Sequence, residues 1–102
     1  MKDAGDLLLK AMNFMNFTSK DILSRPWASA TFSGARHKLT LRLQGEDAPD
    51  RADAFLADLV GKEFPMRGHI LADICLISQT RTSGPAGPDI ELRIEALTVE
   101  AD

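Results

Sequence analysis

The sequence predicts an α+β domain in two layers: a four-stranded, mainly antiparallel sheet, in the order α-β-β-α-β-β, with helices covering one face. Three observations lead there. Strand-period alternation fills residues 27–43 and returns over residues 69–99, a 3.6-residue apolar repeat lies between them over residues 52–60, and a short, strongly apolar segment precedes both. A chain of 102 residues buries one core, so residues 1–102 form one domain. Its parts are an N-terminal helical segment at 6–24, a hairpin at 27–44, a helix at 50–60 and a second hairpin at 69–99.

Residues 6–17, DLLLKAMNFMNF, form a short helix with Asp6 near the positive end of its dipole. Its apolar side chains nearly encircle the axis, whereas a surface helix shows one stripe. The excess predicts a homodimer interface on Leu8, Met12 and Met15, with a sheet edge as the other route to a dimer. Thr18-Ser19-Lys20-Asp21 has capping-box spacing and opens a second helical turn through Ile22 and Leu23, which Arg25-Pro26 ends.

The first hairpin is expected to turn at Gly34-Ala35, where glycine supplies a positive φ. That register puts Phe32, His37, Leu39 and Leu41 on an apolar face. Trp27 falls opposite Arg42 on the polar one. In the following helix Ala52, Phe55, Leu56, Leu59 and Val60 make one stripe, with Asp47 or Asp50 as N-cap and Gly61 as C-cap. The third strand, from His69, turns Ile70, Ala72, Ile74 and Leu76 to the core and His69, Asp73 and Cys75 away. Residues 80–89 read as a long loop. The fourth strand shifts phase from Ile94 to Leu97 and Val99, which a β-bulge near Glu95 or Ala96 explains.

Composition narrows the function. Hydrophobic residues make up 44% and charged residues 26%, as in a folded globular protein. The net charge of −3 opposes bulk attraction to nucleic acid or anionic membrane. The charge is uneven: residues 1–45 hold seven Lys or Arg against three Asp or Glu, and the remainder five against twelve. A single cysteine gives no internal disulfide or thiolate cluster, no apolar run approaches bilayer length, and the N-terminus lacks signal-peptide character. A cytoplasmic protein without metal, cofactor or membrane partner is expected.

Three functions follow as expectations. The first is a non-enzymatic interaction module acting as a homodimer, with a further protein partner allowed. The second is nucleic-acid or anionic-ligand binding on a face carrying Trp27, Arg36, Lys38 and Arg42, where an aromatic ring stacks and cations hold phosphates. The third and weakest is a small enzyme using His69, Asp73 and Cys75.

Overall fold

The computed structural model describes residues 4–12, 17–59 and 66–101. Helix α1 (Ala4–Ala11) is followed by strands β1 (Ser19–Ala28) and β2 (Ser33–Gln44), helix α2 (Ala48–Leu59), and strands β3 (His69–Gly84) and β4 (Gly87–Glu100). The four strands form one antiparallel sheet in the order β1-β2-β4-β3. The α+β architecture with element order α-β-β-α-β-β is therefore present.

The core follows from strict alternation on the two central strands. Leu39, Leu41 and Leu43 of β2 meet Ile94, Leu92 and Ile90 of β4 directly across the ladder, and all six are buried. Helix α2 lays Ala48, Ala52, Phe55 and Leu59 on this face, one residue per helical turn, and begins two residues earlier than its apolar stripe suggested. Gly61, its expected C-cap, lies outside the described residues. Leu8 and Met12 from the N-terminal segment complete the cluster, and Phe17 meets the Phe55 ring edge-on at 5.5 Å.

The first hairpin departs from the expected register. Residues 19–24 are strand, not a helical turn, and β1 pairs with β2 from Ser19↔Arg42 to Ala28↔Ser33. Thr18 does not open a helix: its hydroxyl accepts the Gln44 N–H at 3.1 Å and its own N–H reaches the Arg42 carbonyl. The turn is Ser29 to Phe32, closed by a 2.8 Å bond from the Ser29 N–H to the Phe32 carbonyl. The Ser29 hydroxyl also accepts the Phe32 N–H at 3.1 Å. A serine that satisfies the turn's own backbone outcompetes the glycine signal. Phe32 consequently sits in the turn, 57% exposed, instead of in the core.

Pro26 does not stop β1 because β1 is an edge strand. Counting back from the Ser29 bond, odd residues turn their N–H towards β2, so the missing donor of Pro26 falls on the unpaired side.

Gly34 is needed for a different reason. It lies within the strand, opposite Trp27 near one end of the ladder, and a Cβ there would stand 2.0 Å from the Thr98 carbonyl oxygen and 3.0 Å from the Trp27 indole nitrogen. The Thr98 main-chain carbonyl occupies the space a side chain would take, and the indole closes the site beside it.

The second hairpin is longer than expected. β3 and β4 run on to a two-residue turn at Pro85-Ala86, with Gly84 paired to Gly87 at a φ of 97°, so most of the expected loop is strand. The register shifts lie on β3, at Leu71/Asp73 and Leu76/Ser78, and β4 alternates without interruption through Ala96 and Thr98. Leu97 and Val99 therefore face away from the helices. Ile70 and Ala72 are exposed; Leu71 takes the inward position opposite Thr98, ahead of Ile74 and Leu76.

Thr98 is inward because His37 needs it. His37 is 1% exposed, as its place among the apolar β2 residues requires, with Nδ1 2.6 Å from Ser24 Oγ and Nε2 2.9 Å from Thr98 Oγ1. The Thr98 hydroxyl donates to the Ala35 carbonyl at 3.4 Å, so it accepts from Nε2–H, and Nδ1 accepts from Ser24.

Candidate functional site

Both helices lie against one face of the sheet; among the described residues the other is open. Alternation and register place its side chains in rows that cross the sheet from β1 to β3. One row is Arg25, Arg36, Leu97, Asp73, and the next is Leu23, Lys38, Glu95, Cys75. Beyond the first lies Trp27, Gly34, Val99, Ile70; two rows beyond the second lies Ser19, Arg42, Glu91, Thr80. The two middle rows surround a shallow groove of about 360 Å³.

The charges in that groove are unusual in having no counter-ion. Arg25 stands directly opposite Arg36, and like charges in that position disfavour the sheet. Lys38 is next on the same strand and face. On the other side of the groove, Glu95 and Asp73 carry the opposite sign. Among the described residues none of these five side chains makes a hydrogen bond or ion pair. Even Lys38 and Glu95, ladder neighbours, do not close on each other. Leu23 and Ile70, 59% and 57% exposed, add apolar surface beside the half-buried Leu97, Val99 and Trp27.

Arg42 differs. It holds Asp89 through two bonds, Nε to Oδ1 at 3.0 Å and Nη2 to Oδ2 at 2.5 Å, and the Gln44 side-chain amide donates to the same carboxylate at 3.3 Å. The Arg42 hydrogen bond lowers the Asp89 pKa against the opposing effect of desolvation, and Asp89 in turn raises that of Arg42. A lowered carboxylate pKa stabilises the fold fully above the ordinary aspartate value, about 3.9, and the contribution disappears as pH falls through the folded value. Asp89→Asn is accordingly expected to lower Tm slightly at pH 7 and to match the parent near pH 2, as read by thermal circular dichroism.

The structure brings Trp27, Arg36 and Lys38 together and sets Arg42 apart. Trp27 meets Gly34 at one end of the sheet while Arg42 pairs with Asp89 towards the other, so Trp27 and Arg42, expected opposite each other, lie apart. Arg25 takes the place assigned to Arg42. In the sequence the pre-proline position reads as the end of a helical turn, which hides Arg25; the alternation Leu23, Arg25, Trp27 is the signal that reveals it.

The three candidate catalytic residues separate. The bulge at Ala72 rotates His69 to the helix side, opposite Glu100, and leaves Asp73 and Cys75 on the open face. The His69 Nδ1–H donates to the Arg67 carbonyl at 3.3 Å. Cys75 is exposed and lies opposite Glu95. No cluster of three His, Cys, Asp or Glu residues suited to a metal occurs among the described residues.

Leu8 and Met12 are fully covered by their own chain, and Leu7 and Leu9 are partly buried; Met15 lies outside the described residues. Among the described residues no helix is long and apolar enough to cross a membrane.

Comparison with family models, curated proteins and solved structures gives no match. Function therefore has to be read from the open face itself.

Proposed function

We propose that the protein is a non-enzymatic interaction module that binds through the open face of its sheet. The observation that carries this reading is the uncompensated charge there: Arg25, Arg36 and Lys38 on β1 and β2, Glu95 and Asp73 on β4 and β3, with exposed leucine and isoleucine among them. Setting Arg25 against Arg36 without an acid disfavours the folded state, and an anionic group from a partner relieves that repulsion. The flanking apolar residues supply the desolvated contact that ion pairs alone do not provide.

The basic half also supports the anionic-ligand reading, in a limited form. Adjacent strands are about 4.8 Å apart, so Glu95 lies one strand from Lys38 and repels the backbone of an extended nucleic acid. A compact anionic group fits better. Inorganic pyrophosphate titrated into the isotope-labelled chain at low salt should shift the amide resonances of Arg25, Arg36 and Lys38 and leave those of α2 unmoved. Absence of a response at those three residues at low salt would remove this reading of the face.

A further inference from the structure

We infer that the partner on the open face is a second copy of this chain, stacked sheet on sheet; this rests on the open face being the binding surface. The face is self-complementary. Its two halves carry opposite charge, with the basic residues on β1 and β2 and the acidic ones on β4 and β3. A twofold axis parallel to the strands, between β2 and β4, lays β1 on β3 of the second copy and β2 on β4.

In that arrangement each row meets itself reversed. Arg25 stands over Asp73 of the second copy, Lys38 over its Glu95, and Trp27 over its Ile70. The same contacts recur in the opposite sense, as an isologous interface demands. A shift of one row would instead put Lys38 over Leu97 and Arg25 over Cys75, leaving a single Arg36–Glu95 contact among the groove charges in place of the four ion pairs of the matched dimer. Apolar contact drives the stacking, and the charges fix its register.

Size permits it. Four strands at about 4.8 Å and ten residues at about 3.3 Å give roughly 600 Å² of flat sheet, and side-chain relief raises this towards the ~800 Å² per partner of a standard interface. Aligned sheets pack about 10 Å apart and within roughly 30° of each other, so the rows nearest the axis stay matched despite sheet twist. An unrelated anionic molecule leaves Glu95 and Asp73 alone; a second copy gives Arg25 and Lys38 an acid each and both acids a cation, and lays Arg36 over Leu97.

Complementary charge reversal tests the inference. Sedimentation equilibrium of the parent should show a monomer–dimer equilibrium. Arg25→Glu with Lys38→Glu sets acid against acid at both pairing positions and leaves Arg36 as the one cation of the two middle rows, and Asp73→Lys with Glu95→Lys makes those rows basic throughout. Circular dichroism should show both folded, since all four positions are exposed. Each variant alone should self-associate about 100-fold more weakly than the parent, and an equimolar mixture should restore the dimer.

Dimers that survive both reversals, or a mixture that stays monomeric, would overturn self-pairing. A parent that is monomeric at about 1 mM would do the same. If pyrophosphate still shifts Arg25, Arg36 and Lys38 in such a monomer, the open face remains a binding surface and only its occupant is wrong. If it does not, both conclusions fall together.

Discussion

Replacing Gly34 by alanine should cost about 3 kcal/mol of stability, which for a domain of this size lowers Tm by roughly 10–20 °C. The added methyl would lie 2.0 Å from the Thr98 carbonyl oxygen and 3.0 Å from the Trp27 indole nitrogen. A main-chain oxygen in the central ladder cannot give way without displacing β4 from β2, where Gly34 pairs with Val99. Thermal and urea denaturation of the Gly34→Ala chain check the figure. A loss below about 1 kcal/mol would mean that glycine is there only for its backbone freedom, the role a turn would require.

Thr98→Val should cost about 2 kcal/mol, although the two side chains have the same shape. The loss is the acceptor of the His37 Nε2–H, 2.9 Å away in a site where His37 is 1% exposed. Its neighbour provides the contrast: Val99→Thr, on the open face, should change stability by no more than about 0.5 kcal/mol. Equal effects at the two positions would contradict the unbroken alternation of β4. Urea denaturation of both variants distinguishes these outcomes.

These two residues also show where sequence reading reached its limit. The architecture was legible because it rests on periodicity. The Ala52, Phe55 and Leu59 stripe and the alternating Leu39, Leu41 and Leu43 are unambiguous, and both survive in the structure. Register was less legible because it depends on what polar groups do. A glycine next to a β-branched and aromatic run looks like a hairpin turn, but the turn lies four residues earlier, closed at Ser29, and Gly34 is required by the approach of the Thr98 carbonyl. Likewise, Leu97 and Val99 look like core residues by composition. They are outward because buried His37 selects Thr98 as its partner, a pairing across 61 positions that no local pattern records.

The same errors hid part of the candidate site. Trp27, Arg36 and Lys38 were identifiable from alternation alone and do share a face. Arg42 shares that face but is engaged by Asp89, a contact that follows only once β4 is known to flank β2. Arg25 became visible only when residues 19–24 proved to be strand. Parity groups Asp73 and Cys75 with His69, and an extra residue at the Ala72 bulge undoes that grouping.

The open face can be tested through Trp27, the single tryptophan of the chain, which lies on it beside Gly34. Acrylamide quenching of Trp27 fluorescence, followed as protein concentration rises through the range in which the sedimenting mass doubles, reports directly whether that face becomes covered. Quenching should fall in step with the mass. A doubled mass with Trp27 as accessible as in the dilute chain would place the interface elsewhere and contradict the account.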